Sequence, residues 1–118
     1  MQKCVLIYDD DLETLNVCKV ILKSSYRVET LAHCENIIDD IESIKPDVIL
    51  MDLWIPKIGG EKAILLMKEN ASINHIPVIL FSANDDIEKI SAKINANGYL
   101  RKPFDISKFM QTIEGHLK

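Results

Sequence analysis

"VILMDLWIPKIGG", residues 48–60, opens with four apolar residues and then breaks on an acid. Val48 to Met51 suit a protein interior, yet Asp52 follows at once, with Leu53, Trp54 and Pro56 behind it. A run that is apolar at every position, rather than alternating, is the pattern of a strand covered on both faces, as in a parallel sheet. A carboxylate set directly after such a run is costly unless something compensates its charge. The stretch therefore predicts a fold class and also a place where charge must be balanced.

Similar runs recur on both sides of it. Cys4–Tyr8, Arg27–Leu31, Val78–Phe81 and the brief Tyr99–Leu100 are rich in β-branched and apolar residues, and each reads as a strand. Helical spacing fills the intervals. Leu12, Leu15, Cys18 and Leu22 fall three and four apart, as do Ile37, Ile41 and Ile44, and again Ile87, Ile90 and Ile94. Ile106, Phe109, Met110, Ile113 and Leu117 form the clearest stripe, and a further helix is expected around Ile64, Met67 and Lys68. Asp105 is placed to cap the last helix, and Pro46 and Pro77 stop the preceding segments from continuing as helix. The order is βαβαβαβαβα, which implies a doubly wound α/β domain with a five-stranded parallel sheet and five helices. Right-handed crossovers leave few topologies, among them the flavodoxin-like order 2-1-3-4-5, which binds ligands at the carboxyl ends of strands 1 and 3.

Composition agrees with one globular domain over residues 1–118. Hydrophobic residues make up 47% and charged residues 27%. The net charge of −4 argues against a nucleic-acid surface, which needs clustered Lys and Arg. No apolar run approaches the roughly 20 residues that span a bilayer, and Met-Gln-Lys-Cys does not open a secretion signal. Cys4, Cys18 and Cys34 have no CxxC spacing and fit reduced thiols, so a cytoplasmic protein is expected. His33, His75 and His116 lie far apart without ligand partners and read as surface or loop residues.

Polar residues collect at the strand ends. Asp9, Asp10 and Asp11 follow the first strand, Asp52 the third, Ser82 the fourth, and Lys102 comes just after the fifth. In a parallel sheet these ends share one edge, so the residues converge. One of the three leading acids can cap the first helix, Ser82 alone would read as an N-cap or loop hydroxyl and Lys102 alone as a solvated surface lysine; four strand ends carrying compatible groups is the stronger signal. Clustered carboxylates repel unless a cation joins them. An oxygen-only donor set favours Mg²⁺, and Mg²⁺ with Lys is a common way to neutralise a phosphoryl group in transfer. The crevice thus reads as a phosphoryl-transfer site with Asp52 as nucleophile.

These residues resemble the response regulator receiver domain of two-component signal transduction, of the single-domain chemotaxis or phosphorelay type. The likeness covers nearly the whole chain and rests on "VLIYDDD" (5–11), "VILMDLWIPKIGG" (48–60), "VILFSA" (78–83) and "GYLRKPF" (98–104). It implies that Asp52 accepts a phosphoryl group from a phosphohistidine on a sensor histidine kinase or histidine phosphotransfer protein. It also implies that Asp10 binds Mg²⁺ directly, Asp9 through water, and Trp54 by its backbone carbonyl. Ser82 would bind a phosphoryl oxygen, Lys102 would pair with it, and Tyr99 would turn as the switch aromatic toward a downstream target or output domain. Within this family the Lys102–Pro103 bond is usually cis. Trp54 and Asn84 occupy the positions that border the water attacking the aspartyl phosphate, and bulky Trp54 is expected to exclude it.

Some positions depart from the family pattern. Ile55 replaces a common methionine and Tyr8 a small aliphatic; Asn95 stands where glycine often ends the fourth helix. Asn97-Gly98 replaces the acidic pair that supports dimerisation in one transcription-factor subfamily. Two other readings stay open: a metal-dependent phosphohydrolase with an aspartyl nucleophile, against which Trp54 stands where its general acid would be, and a receiver-like interaction module that takes no phosphate.

Overall fold

β3 (Val48–Met51) is wholly buried, and so is β4 (Val78–Ser82) beside it. Strands without a polar face can only sit where both faces are covered, and the computed structural model, which describes residues 2–117, places them at the centre of the sheet. The other strands are β1 (Cys4–Tyr8), β2 (Arg27–Leu31) and β5 (Gly98–Arg101). All pairings are parallel, in the order β2-β1-β3-β4-β5. The edge strands β2 and β5 are only part-buried, which matches their mixed polar sequence.

Five helices alternate with the strands: α1 (Leu12–Leu22), α2 (Ile37–Ile44), α3 (Gly59–Lys68), α4 (Ile87–Lys93) and α5 (Ile106–His116). Period-2 alternation sends successive strand residues to opposite layers. Val5, Ile7, Leu50 and Phe81 pack with Leu15, Cys18, Phe109 and Ile113 of α1 and α5. Leu6, Tyr8, Ile49 and Met51 pack with Ile37, Ile41, Ile64, Met67 and Ile87 of α2, α3 and α4. Cys4, Cys18 and Cys34 are buried free thiols, and burial raises Cys18 to about 12 and Cys34 to about 11.

Local signals behave as their chemistry dictates. Asp105 Oδ1 accepts the Lys108 N–H at 2.7 Å and caps α5. Asp11 does the same for α1, accepting the Glu13 N–H at 3.1 Å and the Thr14 hydroxyl at 2.8 Å. Asn95 takes the left-handed φ of 58° expected of a glycine substitute. Three expectations are corrected. Leu12 and Ile106, counted into apolar stripes, are exposed, because each is the first residue of its helix, three positions before the first one that is buried, Leu15 and Phe109. His116 is not a loop histidine. It sits half-buried in the last turn of α5, its ring between the carbonyls of Thr112 at 2.8 Å and Asn97 at 3.1 Å. The fourth and fifth strands run longer than expected, taking in Ser82, Gly98 and Arg101. No helix among the described residues is long and apolar enough to cross a membrane.

Candidate functional site

The carboxyl ends of β1, β3, β4 and β5 bring the expected groups to one edge. Asp9 and Asp52 are buried, Asp10 is exposed, and each offers a carboxylate oxygen within 4.8 Å of the others'. Asp11 is outside this cluster, occupied as the α1 cap. Asp9 is the most completely satisfied: Oδ1 accepts the Asp11 N–H at 2.9 Å, and Oδ2 accepts the Lys102 ammonium at 2.6 Å. A fully buried carboxylate survives in an interior only with such partners.

Lys102 follows β5 and reaches inward. Its Nζ lies 3.9 Å from Asp52 Oδ2 and 4.4 Å from the centre of the Phe81 ring. The aromatic face attracts the ammonium and helps to hold it in the crevice. The Lys102 N–H donates to the Ser82 carbonyl at 2.9 Å, so the lysine is registered against the end of β4. The Lys102–Pro103 bond is cis. Ser82 is buried, and its hydroxyl accepts the Asn84 N–H at 3.2 Å.

Asp52 begins the β3–α3 loop, its N–H donating to the Tyr8 carbonyl at 3.0 Å. Gly60 makes the close approach behind it possible: a Cβ there would stand 2.1 Å from the Asp52 carbonyl oxygen. Burial pushes the Asp52 carboxyl up from 3.8 to about 6. The neighbouring Asp9 and Asp10 add to that push, while Lys102 and the Trp54 N–H offset part of it. Three carboxylates against one ammonium leave two negative charges in excess when all are ionised. The donors are all oxygens, one carboxylate is exposed, and the charge excess matches a hard divalent cation, so the residues fit Mg²⁺.

Trp54 is 66% exposed, Asn84 is half-buried, and Tyr99 on β5 is exposed at 38%. Sequence reasoning missed Phe81 beneath the lysine and Gly60 behind the aspartate. The Gly59-Gly60 pair was a visible signal of tight backbone; nothing in an apolar strand residue announces a cation over its ring.

The chain matches the family model for the response regulator receiver domain over residues 5–114. The polar-differentiation response regulator DivK of Brucella anthropi is 27% identical over 121 residues, covering 99% of this chain and 98% of that protein. Its counterpart in Brucella ovis is likewise 27% identical, with the same coverage. Among solved structures, the chemotaxis protein CheY4 of Vibrio cholerae superposes with a TM-score of 0.88 at 21% identity, over 99% of this chain and 100% of that one. A CheY-like receiver domain protein from Methanospirillum hungatei gives 0.87 at 23% identity, over 99% and 94%. At these identities the structural likeness speaks for the fold, which has the same sheet order and five helices.

Proposed function

Because the chain belongs to the response regulator receiver domain family, it is a phosphoacceptor domain of two-component signalling, and we propose that Asp52 is the residue that takes the phosphoryl group. In this reading residues 1–118 form one receiver domain. The donor is a phosphohistidine on a sensor histidine kinase or histidine phosphotransfer protein. An Asp52 oxygen bonds to phosphorus as the donor P–N bond breaks, and the imidazole leaves with the electron pair and takes up a proton. Bound Mg²⁺ would neutralise charge on the transferring group. Asp10 and the Trp54 carbonyl would hold it directly and Asp9 through water, with Asp52 completing the set.

The remaining residues of the chain act around that step. Lys102, which reaches both Asp9 and Asp52, pairs with the arriving phosphoryl oxygens, and Ser82 donates its hydroxyl to one of them. Ser82 moving toward the phosphate vacates space that Tyr99, now exposed, turns to fill. The phosphate contacts differ between the two states, which is what a population shift requires. The output runs through α4, β5 and α5 to a downstream target or output domain, in the cytoplasm and without direct nucleic-acid contact. The domain catalyses its own phosphorylation and hydrolysis, Trp54 and Asn84 tuning the latter.

The observation that carries this reading is the meeting of Asp9, Asp10 and Asp52 within 4.8 Å beside one inward lysine. Intact mass spectrometry after incubation with Mg²⁺ and a small acyl phosphate tests it. A single added phosphoryl group that is lost in Asp52→Asn supports the reading; modification that persists in Asp52→Asn overturns it.

A further inference from the structure

The β3–α3 loop, residues 52–58, is fixed at its ends and in its middle. Asp52 is bonded to Tyr8, the Gly60 N–H donates to the Leu53 carbonyl at 3.2 Å, and Ile55 is buried. Its outer turn has a different anchor. Lys57 adopts φ 75°, a left-handed conformation that is unfavourable for a residue with a Cβ. Its Nζ lies 3.0 Å from Glu35 Oε1 on the loop between β2 and α2. One residue earlier on that loop, Cys34 Sγ lies 3.6 Å from the Gly59 carbonyl. Glu35 Oε2 is buried and has no hydrogen-bond partner among the described residues, so Lys57 is the cation that balances Glu35. The ion pairs Lys93–Glu61 and Lys3–Asp47 do not reach this loop.

We propose that the Glu35–Lys57 ion pair is a positioning clamp for the metal-binding loop, setting Mg²⁺ affinity from outside the crevice. The clamp rests on the metal reading above. Lys57 stands three residues after Trp54, whose carbonyl is the loop's backbone contribution to the metal beside the Asp52 carboxylate. Holding the outer turn in its left-handed form keeps that carbonyl oriented. Residues that orient a ligand in this way act on metal affinity without touching the ion.

Isothermal titration calorimetry of Mg²⁺ into the full chain tests this, with thermal midpoints taken in chelator. Lys57→Met should raise the Mg²⁺ dissociation constant about threefold, the scale of an exposed ion pair, while its midpoint in chelator stays near the parent's. The charge swap, Glu35→Lys with Lys57→Glu, should restore most of the affinity. Parent-like binding by Lys57→Met, or a swap as weak as the single variant, overturns the clamp. So does an affinity loss matched by a falling midpoint in chelator, the mark of a merely structural pair. A parent that takes up no Mg²⁺ rejects the metal reading itself and the clamp with it.

Discussion

Replacing Asp52 with asparagine should stabilise the metal-free protein at neutral pH. Asp52 is 4% exposed, and its carboxyl is held at about 6 against an ordinary 3.8. Between those values the folded protein keeps a proton that the unfolded chain has already released. Stability therefore falls as pH rises through that window and stays low above it. The full difference corresponds to about 3 kcal/mol, and solvent at the open side of the crevice together with relaxation of Lys102 reduces it to about 1–2 kcal/mol. For 118 residues, with an unfolding entropy of about 2.1 cal/mol/K per residue, that is a rise of roughly 4–8 °C in midpoint. The assay is thermal unfolding of parent and Asp52→Asn in chelator from pH 4 to pH 7.5. The gap should be small at pH 4, open through pH 6 and then hold; saturating Mg²⁺ should close it by stabilising the parent. Equal midpoints at pH 7.5, or a gap of the same size at pH 4, would refute the reasoning.

Lys102→Met leaves Asp9 buried without its ammonium and should cost about 3 kcal/mol in chelator, measured by urea unfolding, with Mg²⁺ recovering part of the loss. Gly60→Ala drives a Cβ into the Asp52 carbonyl, so the backbone must shift. A loss of about 1–3 kcal/mol is expected, accompanied by amide shift changes at Asp52 in NMR spectra. Trp54→Ala, at an exposed site, should change stability by less than about 0.5 kcal/mol. If the ring does obstruct water, the phosphorylated variant should hydrolyse up to about tenfold faster without a phosphatase; an unchanged half-life would mean that the ring stands clear of the water's path.

The fold was legible where burial left no choice. Val48–Met51 and Val78–Phe81 are apolar at every position, and only a central parallel strand accepts that. Periodicity was less reliable at helix starts, since Leu12 and Ile106 keep the spacing but sit a turn before Leu15 and Phe109, where burial begins. β5 showed only its Tyr99–Leu100 centre, because glycine and arginine at its ends carry no strand signal. In the site, the grouping of Asp9, Asp10, Asp52, Ser82 and Lys102 followed from topology alone, since strand ends share an edge. What stayed hidden depends on side-chain direction across long separations: Phe81 under Lys102, Glu35 against Lys57, and Asn97 accepting from both the Val78 N–H at 2.9 Å and Lys68 at 3.3 Å. His116 belongs with these, as its partner Asn97 is 19 residues away.

The buried thiols give this protein reporters that need no engineering. Cys18 lies in the layer built on α1 and α5, and Cys34 in the layer built on α2, α3 and α4. A thiol reagent reacts with the thiolate, and both side chains are shielded and held protonated, so labelling waits for the structure around each to open. Each half of the sandwich thus signs its own opening with a distinct peptide mass. Identical labelling rates would describe a molecule that breathes as one unit, and separate rates would resolve two.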